Sequence, residues 1–119
     1  MPYITFYRRH AIFSAGEVPA NAGELNYLIT MYIQTLEITR LASYIRQAID
    51  EYVTLHTEKY QTYNDVFGAL DCAKREMLRR GKYNHLARGI IDNLLDEIYY
   101  KHVGPYEDTK IQQNGDVYK

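Results

Sequence analysis

The sequence predicts an all-α fold, a small bundle of three to four amphipathic helices. Apolar residues recur at helical spacing over most of residues 24–103, and residues 24–67 contain no glycine or proline. A helix with one apolar stripe must bury that stripe against another element, and packing helix on helix achieves this. The 119 residues suit a single domain, 1–119, made of an N-terminal arm (1–22), a helical body (23–103) and a tail (104–119).

The first helix of the body is expected to begin near Gly23 or Glu24, because a carboxylate suits the positive end of the helix dipole. The apolar pattern continues past residue 50, so 24–67 could hold one long helix, or two with Thr39 or Ser43 capping the second. The first apolar stripe consists of Leu25, Leu28, Ile29, Tyr32, Ile33 and Leu36.

The clearest helical pattern follows, with Thr62 or Asn64 as a candidate N-cap and Gly81 at the expected left-handed C-terminal position. Asn84 is then placed to cap a final long helix, which Gly104-Pro105 is expected to end. The two stripes consist of Tyr63, Val66, Phe67, Leu70, Ala73, Met77 and Leu78, and of Leu86, Ile90, Ile91, Leu94, Leu95, Ile98 and Tyr99.

Both ends of the chain are expected to be less regular than the body. Residues 3–7 have strand-like composition without an obvious partner, which favours an extended arm lying across the helices. The tail after residue 104 is polar, although a short helical turn beginning at Pro105 also fits its sequence. Asn114-Gly115 is expected to end that turn.

Composition narrows the classes of function. The net charge of -1 gives no global attraction to nucleic acid or anionic membrane. No segment approaches the ~20 apolar residues of a membrane span, and no secretory signal is recognisable. Cys72 is the only cysteine, and we expect it to pack as a small apolar group in a reducing compartment. These features predict a cytoplasmic protein without a membrane partner, and the 13 tyrosines favour either a rim around the core or a subunit interface.

Several blocks of the sequence resemble a known family. The blocks are MPYI at 1–4, GELNYLIT at 23–30, YNDVFGAL at 63–70, and PYEDTK at 105–110 followed by NGDVY at 114–118. They are similar to a family of small proteins of unknown function that is common in tailed phages and metagenomic sequence. The resemblance implies phage origin and an accessory role in the cytoplasm of the host cell. It implies no reaction.

The sequence departs from that family in two places. Residues 81–101 add about one helix, and residues 37–58 are longer than usual. An added helix can cover a surface that other members expose. A binding role shared with the family therefore does not carry over directly to this chain.

The strongest local feature is a run of five cations within residues 74–82. Arg75 and Arg79 share one helical face, and Glu76 can pair with Arg79 or Arg80. Arginine side chains bind phosphate groups well, so this run of cations could bind a phosphorylated small molecule. Nucleic acid is a less favoured ligand, because the sequence shows no helix-turn-helix pattern. Alternatively, the cations complement the dipole at the end of a helix.

Polar residues of the family blocks are the other candidates for a ligand site. They could equally tie the tail to the body, for example through Arg79 or Arg80 and Glu107 or Asp108. The predicted ligand-binding set consists of Arg75, Arg79, Arg80, Asn26, Tyr27, Asn64, Glu76, Tyr106 and Lys110.

Acidic residues raise the possibility of a magnesium-dependent nucleotide hydrolase of the all-helical type. Asp92 and Asp96 are four residues apart, and Asp50 and Glu51 lie on another helix. The doubled glutamate pattern typical of such enzymes is missing, and alternating acids opposite an apolar stripe usually form a solvated face. We therefore predict no catalytic residue, metal or cofactor, and a non-catalytic role is favoured.

The leading hypothesis is an accessory protein of phage type that acts by binding in the infected cell. Its ligand would be a nucleotide-like small molecule or a host protein, and self-association into a homo-oligomer is expected. The alternatives are the magnesium-dependent hydrolase and a minor structural protein of the virion.

Overall fold

A computed structural model describes residues 4–82 and 84–118, and it confirms the all-α fold class. Four helices of 14 to 20 residues form the body, and short helical segments lie at both ends. The described residues contain no strand. In chain order the elements are α1 Phe6–Arg9, a π-helical turn His10–Ser14, α2 Ala22–Thr35, α3 Ile38–His56, α4 Tyr60–Arg79, α5 His85–Ile98, a π-helical turn Tyr99–Val103, and α6 Gly104–Asn114.

The segment 24–67 contains parts of three helices, although no glycine or proline interrupts it. The first break lies at Leu36 and Glu37, which adopt extended backbone conformations. The second lies at Thr57, whose φ of 67° is in the left-handed region that β-branched residues rarely occupy. Thr39 and Ser43, the predicted caps, both lie inside α3, so that prediction is wrong. Neither break is marked by a glycine or proline in the sequence.

The boundary between α4 and α5 agrees better with its local sequence signals. Gly81 has a φ of 67° and the Lys82 amide donates to the Met77 carbonyl, so α4 ends in the predicted left-handed turn. The Asn84 side chain accepts hydrogen bonds from the first amides of α5, as predicted. However, α4 begins at Tyr60 after Lys59, which corrects the predicted cap at Thr62 or Asn64.

Both ends of the chain are more helical than predicted. Residues 6–14 form α1 and a π-helical turn instead of an extended arm, while 1–3 of the predicted arm lie outside the described residues. Gly104-Pro105 does not end the last helix, because α6 continues to Asn114. A proline ring collides with the carbonyl four residues earlier in an α-helix. The wider turn at Tyr99–Val103, where the Gly104 amide donates to the carbonyl of residue 99, accommodates that ring.

The core lies among α2, α3, α4 and α5, with α2 packed most extensively on α4. The predicted stripes supply most of it, since Leu25, Ile45, Leu70 and Ile91 are fully buried. Burying such side chains stabilises the fold by about 1.5–3 kcal/mol each. None of the described helices is sufficiently long and apolar to cross a bilayer.

An ion-pair cluster ties the N-terminal segment to α2. The Arg8 guanidinium donates two hydrogen bonds to the buried Glu24 carboxylate, at 2.9 and 2.7 Å, and a third to Glu17 at 2.7 Å. The Glu24 carboxylate also accepts from the Ala20 amide. The hydrogen bonds from Arg8 hold the pKa of Glu24 below its usual value. Glu24, expected from the sequence only to complement the helix dipole, thus has Arg8 as a partner that the sequence does not predict.

Candidate functional site

A groove of about 750 Å³ lies between the N-terminal half of α4 and the chain from Tyr99 to Tyr118. It combines residues that are some forty positions apart in the sequence, so it exists only in the folded protein. Six aromatic side chains line it, and we call it the tyrosine groove. Its aromatic residues are Tyr60, Tyr63, Phe67, Tyr99, Tyr106 and Tyr118.

Pairs of rings from the two walls contact each other in the tyrosine groove. The Tyr63 and Tyr106 ring centres are 5.7 Å apart, and those of Phe67 and Tyr99 are 6.5 Å apart. Both pairs are tilted or edge-to-face, the arrangements that aromatic quadrupoles favour. The buried Tyr63 hydroxyl donates to Glu58 at 2.6 Å. Burial first, and then this hydrogen bond, raises the pKa of Tyr63, so its phenol stays neutral at physiological pH.

Charged side chains surround these rings. Glu107, Asp108 and Asp116 contribute three carboxylates, whereas Lys110 contributes the one ammonium among the described lining residues. The Lys110 Nζ lies 5.5 Å from the centre of the Tyr106 ring, within the range of a cation–π contact. The groove therefore joins aromatic faces to a net acidic rim.

The predicted ligand-binding residues are divided between separate places. Asn64, Tyr106 and Lys110 line the tyrosine groove. Glu76 and Arg80 line a second cavity of about 520 Å³, between α2 and the end of α4, which shares no lining residue with the groove. The nine residues therefore do not lie in one site.

Two further predicted residues belong to α2. Asn26 is buried, and its Oδ1 accepts a hydrogen bond from the Thr30 hydroxyl at 3.2 Å. Tyr27 is partly buried and packs against the core. Neither residue lines one of the two cavities described above. Their arrangement explains how α2 is packed and suggests no ligand contact.

The arginines at the end of α4 pair with acids of the same helix. Arg75 donates to Asp71 at 2.8 Å, while Arg79 and Arg80 both donate to Glu76, at 2.6 and 2.7 Å. The hydrogen bond from Arg79, followed by that from Arg80, lowers the pKa of Glu76 to about 2. The arginines thus bind neighbours on α4 instead of Glu107 or Asp108, the predicted tie to the tail. We call the five residues Asp71, Arg75, Glu76, Arg79 and Arg80 the arginine cluster.

The acids considered as magnesium ligands also have partners or lie apart. The Asp92 carboxylate accepts from Lys74 at 2.9 Å and lies 3.8 Å from the Arg88 guanidinium. A carboxylate held between two cations must release them before it can bind a metal. Across residues 4–82 and 84–118, no group of three or more histidine, cysteine or acidic side chains is placed to hold a metal ion. Cys72, expected to be packed, is exposed.

Most of the tyrosine groove is not predicted by the sequence. Phe67 and Tyr99 belong to the predicted apolar stripes, and neither Tyr60 nor Tyr118 is among the predicted ligand-binding residues. Tyr60 is 64% exposed and Tyr99 is 50% exposed, so neither ring is a fully buried part of the core. The available signal was the excess of tyrosine, which indicated a sticky surface without locating it.

Comparison with known proteins identifies a matching family. Residues 1–84 match the family described as "Domain of unknown function (DUF6899)". No curated protein and no solved structure gives a significant match. The matched residues include α1 to α4, whereas α5, α6 and the closing block at 105–118 lie beyond them. One wall of the tyrosine groove therefore lies within the matched residues and the other beyond them. The chain belongs to this family of unknown function.

Proposed function

We propose that this protein is an accessory protein of phage type that acts by non-catalytic binding, and that it binds a protein partner through the tyrosine groove. The observation that carries the proposal is the groove itself, with six aromatic residues and half-exposed rings at its edge. Tyrosine is enriched at protein interfaces because it buries a large rigid ring and keeps a polar hydroxyl for hydrogen bonding. The phage setting rests on the resemblance of the sequence blocks described above.

A protein partner fits better than a phosphorylated small molecule because of the state of the arginine cluster. All three of its guanidinium groups donate to carboxylates of α4. A phosphate would have to displace these acids or bind beside them, and either choice reduces the electrostatic gain. In the tyrosine groove, the edge rings Tyr60 and Tyr99 are already exposed, so a partner can contact these two rings without displacing a counter-charge.

Self-association is part of the same proposal. Phe6 and Tyr7 of α1 are 86% and 74% exposed, which is unusual for adjacent large aromatic residues of a monomer. Native mass spectrometry of the protein purified from the cells that produce it should find a homo-oligomer without a nucleotide-sized adduct. A bare monomer would contradict the self-association, and a retained nucleotide would favour ligand sequestration instead.

The experiment that tests the groove is affinity capture followed by quantitative mass spectrometry. The bait would be the wild type, the double variant Tyr60→Ser/Tyr99→Ser, and two controls. Tyr44→Ser removes a ring of similar exposure outside the groove, 41% exposed. Arg75→Gln/Arg79→Gln removes two cations of the arginine cluster.

We expect a partner retained by the wild type and both controls to be lost from the groove variant. Truncating a hot-spot aromatic residue typically weakens binding by roughly 2 kcal/mol or more, which is about thirtyfold in affinity. Identical capture by the groove variant would refute the proposed surface. Selective loss with the arginine variant would mean that the partner binds at the arginine cluster instead.

A further inference from the structure

We infer that the tyrosine groove recognises a cationic side chain, arginine or lysine, presented by a segment of its protein partner. This inference deepens the proposed function and rests on it, because it names the chemistry that the same groove selects. Two independent features of the groove carry it: the faces of its rings and the charge of its rim.

The rings provide the first argument. The face of an aromatic ring carries negative potential and attracts a cation within about 6 Å of its centre. The protein already contains such a contact, since the Lys110 Nζ lies 5.5 Å from the centre of the Tyr106 ring. This ring face is therefore accessible to an ammonium group while the Tyr63 ring packs beside it at 5.7 Å. An arginine or lysine side chain of a partner would use the same geometry.

The rim provides the second argument. Among the lining residues that the structure describes, the carboxylates of Glu107, Asp108 and Asp116 outnumber the one ammonium group, that of Lys110. Interfaces place potentials of opposite sign against each other, because juxtaposed like charges weaken association. An acidic rim above aromatic rings therefore favours a cation and disfavours phosphate or an acidic peptide. The charge of the groove is opposite to that needed for a phosphorylated ligand.

In a groove that binds a cation, Lys110 opposes binding, whereas in a phosphate site it would attract the ligand. It follows Tyr106 by one helical turn on α6, and its stem is exposed. In the free protein it covers the ring that an incoming cation would contact, and it offsets part of the acidic rim. Lys110 therefore competes with the partner's cation. Removing its charge is expected to tighten binding of a cation and would weaken binding of an anion.

The test is an NMR titration of the full-length, isotopically labelled protein with two small probes. N-acetyl-arginine amide carries the cation, and N-acetyl-citrulline amide has nearly the same shape without charge. We expect saturable shifts at Tyr99 and Tyr106 with the arginine probe, and about tenfold weaker binding of the citrulline probe. Glu107→Gln/Asp108→Asn should weaken binding of the arginine probe, whereas Lys110→Gln should strengthen it. Each variant's amide spectrum reports whether it remains folded.

The outcomes separate this inference from the proposed function. Equal binding of both probes, weaker binding by Lys110→Gln, or shifts confined to residues outside the groove would each overturn the inference. In any of these cases, capture of a protein that depends on Tyr60 and Tyr99 would leave the proposed function standing. Conversely, capture that is insensitive to the groove would refute the proposed function even if the arginine probe shifts the groove residues.

Discussion

The two ends of α4 present different kinds of surface. At its C-terminal end, three arginines are held by Asp71 and Glu76, all within ten residues of the same helix. At its N-terminal end, Tyr63 and Phe67 meet Tyr106 and Tyr99 from a distant part of the chain. The charged residues of the first surface are easily recognised in the sequence, and their ion-pair partners are near neighbours along the chain. The second is assembled by the fold and leaves ring edges exposed.

A cluster of charged residues is therefore a weak guide to a binding site when its counter-charges lie one helical turn away. Pairs at three or four residues form as soon as the helix forms, so their partners are already supplied. Contacts between α4 and α6 require the whole bundle. A surface assembled in that way can leave aromatic rings partly exposed, where a partner can contact them. Three measurements test this difference between the two ends of α4.

The largest expected effect is on stability. Tyr63 is 5% exposed and joins the groove to the core, so Tyr63→Ala should lower the free energy of unfolding by about 3 kcal/mol. Arg75, at the opposite end of α4, is 73% exposed, and Arg75→Ala should leave the urea midpoint unchanged within error. Equal effects of the two substitutions would mean that the ends of α4 are not different in kind.

A smaller effect is expected at the junction that positions α6. An alanine Cβ at Gly104 would lie 3.3 Å from the Tyr99 carbonyl oxygen, whereas one at Gly68, on the exposed face of α4, would meet nothing within 4 Å. Gly68→Ala should therefore stabilise the protein by about 1 kcal/mol through helix propensity. Gly104→Ala should lack that gain, because the π-helical turn is closed tightly around it. Equal gains in urea unfolding would contradict this account of the junction.

The smallest effect concerns the pH dependence of the arginine cluster. Hydrogen bonds from Arg79 and Arg80 lower the pKa of Glu76 to about 2, from an ordinary value of 4.5. A lowered folded-state pKa gives stability that is present above pH 4.5 and is lost as the pH falls towards 2.

Carbon-detected NMR titration of Glu76 would check this. In Arg79→Gln/Arg80→Gln the titration midpoint should rise towards the ordinary value. An unshifted midpoint in the wild type would mean that the arginines are not held by Glu76, and that they are available to a ligand.

Features specified by a few neighbouring residues could be predicted from the sequence. The turn at Gly81, the Asn84 cap and the end of α6 near Gly115 are all of this type. The helix breaks at Glu37 and Thr57 contain no glycine or proline, so the neighbouring residues gave no signal from which to predict them. The continuation of helix through Pro105 depends on the π-helical turn before it.

The candidate site was less predictable for the same reason. Asn64, Tyr106 and Lys110 were identified from the family resemblance, and they do line the tyrosine groove. Phe67 and Tyr99 each fall on the apolar stripe of a helix, so the sequence pattern of either helix alone predicts that they are core residues. Only the fold, which brings the turn at Tyr99–Val103 beside α4, places these two rings in a groove.

The central claim is that the tyrosine groove, and not the arginine cluster, contacts the partner. Site-specific photo-crosslinking in the cells that produce the protein tests it most directly. A photoreactive phenylalanine derivative would replace Tyr99 in one variant and Arg79 in another, since both side chains are at least half exposed. The account predicts a discrete crosslinked protein from position 99 and none from position 79. A crosslink from position 79 alone would contradict it.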